Sequence, residues 1–200
     1  MKHALLLLAL TACGATAPKV ALTEQWPAKP PEYLDATEAW TRKASLQGQY
    51  QEVVELAATF KSPEWRAARA IRDADNRDLQ GTQRDEFIAQ AQADAAGPYE
   101  VELMVTTWDR RENDLDRGKK SVWGVVLIDQ NGTQIEPLEI IKDKRPAFTV
   151  RADFPALGDF ATAYIARFPR TTPVLGPNVK KVRLRLYGVR GAVEVDWDSE

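Results

Sequence analysis

The stretch VRLRLYGVRGAVEVDWD, residues 182–198, decides the fold. If Gly188 to Gly191 form a four-residue loop, Tyr187 faces Ala192, Arg185 faces Glu194 and Arg183 faces Asp196. Leu186 then meets Val193, Leu184 meets Val195 and Val182 meets Trp197. One face is a ladder of opposite charges and the other is apolar. Side chains alternate with period two, so a slip of one residue would invert both faces together. The pattern therefore fixes both the hairpin and its register.

The same period extends toward the N-terminus. Val101, Leu103 and Val105 alternate with Glu100, Glu102 and Met104. SVWGVVLID, residues 121–129, is apolar on both faces, Trp123 included, as a central strand requires. Asn131-Gly132 separates it from TQIEPLEII, which is the strongest short hairpin signal a sequence gives. Phe148 and Val150 predict another strand. In GDFATAYIARFP, residues 158–169, Phe160, Tyr164 and Phe168 fit a helix stripe or one face of a strand; the β-rich context favours the strand. About six or seven strands over residues 98–200 predict an antiparallel β-sandwich.

Residues 33–97 carry the helical period instead. Asp35 and Glu38 suit a capping box for a helix to about Leu46, which Gly48 would stop. Tyr50, Val53, Val54, Ala57 and Phe60 predict a second helix. Ser62-Pro63-Glu64 starts a third, with Ser62 as N-cap, and Trp65, Ala68 and Ile71 on its apolar stripe. A fourth, from about Gln83 to Ala96, carries Phe87, Ile88, Ala91 and Ala95. Trp40, Leu46, Gly48, Tyr50, Ala57 and Pro63 loosely resemble, in order, a tetratricopeptide helical hairpin. Their spacing departs from that pattern, and no second period of about 34 residues follows. The expected fold class is α+β: a small N-terminal helical bundle followed by the β-sandwich.

The chain begins with Met1, Lys2, His3 and the seven-residue apolar run ALLLLAL. A basic start, a short apolar run and small residues make a secretory signal over residues 1–12. The run is too short to span a membrane, which takes about 20 residues. Leu10-Thr11-Ala12-Cys13 resembles the lipobox of bacterial lipoproteins, in which the signal is cut before the cysteine and the thiol receives a diacylglyceryl group. Cys13 is the only cysteine, so it has no disulfide partner within the chain. The resemblance implies attachment to a membrane through lipid on Cys13. One acyl chain holds only marginally, whereas two or more hold stably. Gly14 stands where an Asp often marks inner-membrane retention, which points to the outer membrane, facing the periplasm. Residues 14–32 hold four of the twelve prolines and read as a tether. Extended, it would span roughly 50–60 Å at about 3.1 Å per residue. Trp26 is either a sticky spot on this tether or docks on the body.

Cleavage before Cys13 removes Lys2 and the sole histidine, His3, so the formal net charge of −2 becomes about −3. Nothing in this balance suits nucleic acid. A mature chain without histidine, its cysteine lipidated, excludes a histidine base, a Ser-His-Asp triad and His- or Cys-ligated zinc. The expectation is a non-enzyme without metal or cofactor, acting in binding or structure on an envelope protein or glycan. The alternatives are a carboxylate-dependent hydrolase of cell-wall glycan and a carbohydrate- or lipid-binding lipoprotein. WDRRENDLDRGKK, residues 108–120, is the densest charge cluster. Asp114, Asp116 and Gly118 share the start of a calcium-loop pattern, but its closing glutamate falls on apolar residues, and Arg117, Lys119 and Lys120 crowd the site. The loop reads instead as a solvated connection or a recognition loop. In the second case Trp108, Arg110, Arg111, Asp114 and Asp116 would meet a ligand by stacking and ion pairing.

Overall fold

In the computed structural model, which describes residues 17–199, α1 (Tyr33–Trp40) leads directly into β1 (Thr41–Gln47) and β2 (Glu52–Phe60). There follow α2 (Pro63–Asn76), α3 (Gly81–Asp94), β3 (Tyr99–Thr107), β4 (Trp123–Ile128), β5 (Gln134–Ile135) and β6 (Glu139–Lys142). The chain ends with α4 (Ala147–Asp153), β7 (Thr162–Phe168), β8 (Lys181–Gly188) and β9 (Gly191–Asp198). Cys13, Gly14 and the signal segment lie outside the described residues. The strands form two antiparallel sheets, β1-β2-β3-β7-β6 and β5-β4-β8-β9.

The β8–β9 hairpin has the register that its charges require. Arg185 pairs with Glu194, Arg183 with Asp196, Leu184 with Val195 and Val182 with Trp197. Arg183 Nε lies 2.6 Å from Asp196 Oδ1, and Lys181 Nζ 2.7 Å from Asp196 Oδ2. The Asn131-Gly132 hairpin also forms, with Leu127 opposite Ile135; Gly132 adopts φ 85°, which glycine takes without strain. The ambiguous segment 158–169 contains β7.

The predicted second helix is a strand. Val54, Leu56, Ala58 and Phe60 face the second sheet, each at most 1 % exposed, and alternate along β2 as period two demands. Val53, Ala57 and Thr59 on the opposite face are buried too. With both faces covered, the polar half of the alternation is lost and the apolar residues also satisfy a helix period. β1 does alternate, Arg42, Ala44 and Leu46 against Thr41, Lys43, Ser45 and Gln47. Gly48 therefore stops no helix but belongs to the β1–β2 turn, its N–H donating to Gln51 O at 2.7 Å. The tetratricopeptide resemblance ends with it. Since β2 pairs with β3, residues 33–97 share a sheet with the C-terminal half and form no separate helical bundle.

Three smaller expectations are also corrected. The first helix begins at Tyr33 without a side-chain cap and stops at Trp40. Phe148 and Val150 lie on α4, not a strand: Phe148 is exposed, whereas Val150 and Phe154, four residues apart, are buried on one helical face. Residues 17–32 are not a free tether. Val20 N–H donates to Asp198 O, Gly176 N–H donates to Leu22 O, Val20 and Leu22 are buried, and Trp26 is half-buried against the body.

The helical hairpin α2–α3 forms as expected, and Ser62 Oγ accepts the Trp65 N–H at 3.1 Å. The inward faces of both sheets share one apolar core, where Phe60 meets Trp197 edge-on at 5.6 Å, an arrangement compatible with a sandwich. Trp197 Nε1 donates to Trp40 O at 2.9 Å, which ties β9 to the end of α1. Trp197→Ala removes both contacts and is expected to cost about 3–5 kcal/mol in urea unfolding. Tyr50→Ala, at an exposed turn, is expected to stay within about 0.5 kcal/mol.

Candidate functional site

At one end of the β2–β3 pair the backbone pairing continues one residue past Thr107. Trp108 N–H donates to Val53 O at 3.1 Å, and its indole then leaves the sheet, 65 % exposed. Glu52 and Glu55 of β2, Thr106 and Thr107 of β3, Trp108, Arg110 and Phe160 line a groove of about 300 Å³. Phe160 is 68 % exposed, and the Arg110 guanidinium lies 5.1 Å from its ring centre. Gln47 Nε2 donates to Glu52 Oε1 at 2.9 Å, which holds that carboxylate at the wall.

The loop carrying Trp108 and Arg110 is pinned from several sides. Asp109 accepts from Arg111, both from the backbone N–H and from the guanidinium, and these bonds hold its carboxyl at about 2, below the usual range. Asn113 Nδ2 donates to Val105 O at 2.7 Å, and Tyr164 OH donates to Asn113 O at 2.8 Å. Burial, reinforced by the charge of Asp116, pushes the Tyr164 hydroxyl up to about 12, so it remains a donor at neutral pH. Arg190 on the β8–β9 turn pairs with Glu112 at 2.6 Å.

Of the five residues predicted for this loop, two meet in the groove. Trp108 and Arg110 line it; Arg111 is occupied by Asp109 at the surface. Asp114 is buried and works inside the loop, where Oδ1 accepts from Ser121 Oγ at 2.7 Å and from Val122 N–H at 3.4 Å. Asp116 is exposed and acts on Tyr164 only through its charge. Among the described residues, no group of three or more His, Cys, Asp or Glu is placed to hold a metal ion. Glu52, Glu55 and Phe160 were not legible as site residues. The glutamates join Trp108 only once β2 is read as a strand beside β3, and Phe160 joins through a loop. Chemically, the groove offers two aromatic faces for stacking, a guanidinium donor and two carboxylate acceptors.

A second constellation has a sealed centre, Lys61 and Glu102, and a partly exposed rim of arginines. Lys61 Nζ lies 2.9 Å from Glu102 Oε2 and 3.7 Å from Glu100 Oε2, and Arg66 and Arg167 also pair with Glu100. Asp153 gathers Arg69, Arg72 and Arg145, and Arg145 also holds Asp143, which lies beside Glu102. Burial opposes ionisation of Glu100, Asp143 and Asp153, but their cationic partners outweigh it and keep all three below the ordinary range. Glu102 goes the other way. It is 0 % exposed, and burial raises its carboxyl above 4.5 despite Lys61. Glu102 is sealed from solvent and cannot meet a substrate; the ion pairs around it tie β3, α2 and α4 together.

No family model matches the chain, and no curated protein or solved structure is significantly similar to it.

Three outcomes follow from this geometry. Asp114→Ala leaves the Ser121 hydroxyl and the Val122 N–H without their acceptor and is expected to cost about 1–3 kcal/mol in urea unfolding. Trp108→Ala, at an exposed position, should stay within about 0.5 kcal/mol. For Glu102, the folded state holds the proton more tightly than the unfolded chain does. Its contribution to stability is complete below the unfolded value near 4.5 and is lost as pH rises through the folded value. Glu102→Gln lacks this loss, so its stability relative to wild type is expected to increase between about pH 4 and pH 8. A flat or falling difference contradicts the assignment.

Proposed function

We propose that this chain is a lipid-anchored cell-envelope protein with a binding rather than catalytic role. In this reading Cys13 carries the lipid, the body faces the periplasm from the outer membrane, and the Trp108–Arg110–Phe160 groove receives an envelope glycan. The observation that carries it is the pair of exposed aromatic side chains, Trp108 and Phe160, held in one groove with Arg110, Glu52 and Glu55. A sugar ring presents an apolar C–H face that stacks on an aromatic ring, and hydroxyls that carboxylates and guanidinium groups bind. Large exposed aromatics otherwise cost solubility and mark interaction sites.

A second reading, a glycan hydrolase, is favoured by one feature: Glu52 and Glu55 occupy the same groove as Trp108. The two readings separate in one assay on insoluble cell-wall glycan. The binding role predicts retention of the wild-type protein without release of soluble fragments. It predicts that Trp108→Ala weakens retention about fivefold, from about 1 kcal/mol of stacking. Unchanged retention contradicts it. Fragment release that Glu52→Gln or Glu55→Gln abolishes would replace it with the hydrolase.

A further inference from the structure

A cavity of about 610 Å³ opens where the described chain begins, in the size range of small-molecule sites. Its lining includes Ala17 and Pro18 from the N-terminal segment, Leu34 from α1, and Pro155 and Ala156 from the turn after α4. Leu34, Thr37, Glu38 and Thr41 recur at i, i+3, i+4 and i+7, so one face of α1 and the start of β1 form a wall. Leu34 is 60 % exposed there. Nothing in the groove around Trp108 involves this cavity, which is built by different elements.

Two further observations say what covers it. The first is where the anchor must sit. Because residues 17–32 lie along the body, only four residue steps separate Cys13 from Ala17 on the cavity wall, about 14 Å even when fully extended. A lipid on Cys13 therefore holds this mouth against the membrane and not several nanometres above it. The second is charge. Arg42 lines the cavity and is 5 % exposed, yet no carboxylate of the described residues lies within 4.0 Å of it. Its guanidinium donates to four backbone carbonyls: Asp196 O at 2.8 Å, Ala39 O at 2.7 Å, Thr41 O at 3.0 Å and Pro18 O at 2.6 Å. A guanidinium has five N–H donors, so one hydrogen on Nη2 has no acceptor among the described residues. Lys43 adds a second cation to the lining, and Glu38 is the single carboxylate there.

We propose that this cavity is a membrane-lipid site, taking an anionic phospholipid with its phosphate toward Arg42, Lys43 adding positive charge at the rim, and an acyl chain along Leu34, Pro18, Pro155 and Ala156. The proposal rests on lipidation of Cys13, which sets the distance to the bilayer. Asp198 is the opposite charge that acts on Arg42, and it does so from beyond 4.0 Å; a phosphate would add a counter-charge in direct contact, by a charge-assisted hydrogen bond. A basic rim close to an anionic bilayer is attracted to it. The site would fix the orientation of the body on the membrane, which a flexible anchor alone leaves free.

The test uses full-length acylated protein carrying Leu34→Cys, labelled at that thiol with an environment-sensitive fluorophore. Cys13 is the only native cysteine and, once acylated, does not react. In vesicles of phosphatidylethanolamine and phosphatidylglycerol containing spin-labelled lipid, quenching at position 34 is expected to be several-fold stronger than at Tyr50→Cys. Lys43→Glu should lower it several-fold. Mass spectrometry of the same samples reports whether Cys13 is acylated. Acylated protein quenched no more at position 34 than at position 50 overturns the lipid site and leaves the anchor standing. Protein without acyl groups overturns both. Equal quenching in phosphatidylcholine vesicles overturns the anionic headgroup.

Discussion

The rest of the structure depends on the pairing of β2 with β3. Leu56 faces Val105 and Ala58 faces Leu103 across this pair, all four fully buried, while Ala57 and Met104 are buried on the opposite face. A strand covered on both faces and on both edges is fixed by its neighbours, and it fixes them in turn. The end of β2 delivers Lys61 to Glu102 and Ser62 to the cap of α2. Its beginning delivers Glu52 and Glu55 to the end of β3, where Trp108 emerges. The core, the buried ion network and the candidate groove all follow from this one alignment.

Burial explains both what the sequence revealed and what it concealed. The β8–β9 register was legible because one face of that hairpin is wet: Arg183, Arg185, Glu194 and Asp196 mark it, and a slip would bury them. Ser62-Pro63 was legible because capping chemistry is local. β2 was not, because its second face lies under helices and its residues fit two periods equally. The same cause hid Glu102, whose place in the alternation implied solvent and whose actual neighbour is Lys61. At the candidate site, Trp108 and Arg110 stood out as residue types on a loop, whereas Glu52, Glu55 and Phe160 come from elsewhere in the chain. Asp114 shows the converse: a residue type suited to a ligand is committed to holding its own loop.

The docking of residues 17–32 changes the meaning of the N-terminal segment. Proline content alone reads as an extended spacer. The backbone bonds of Val20 and Leu22, with Arg42 holding Pro18 O, make the segment part of the wall instead. The groove at Trp108 lies on different elements from the cavity at Ala17. In the proposed function, anchor and recognition surface are thereby separated on one small protein.

Native-state hydrogen exchange on β2 tests this account most directly. The amides of Leu56, Ala57 and Ala58 should exchange only by global unfolding, with the same free energy as those of Leu103 and Met104 on β3. If residues 50–60 exchanged as a separate unit well before β3, or gave helical chemical shifts, the central pairing would be wrong. The groove and the ion network built on it would fall with it.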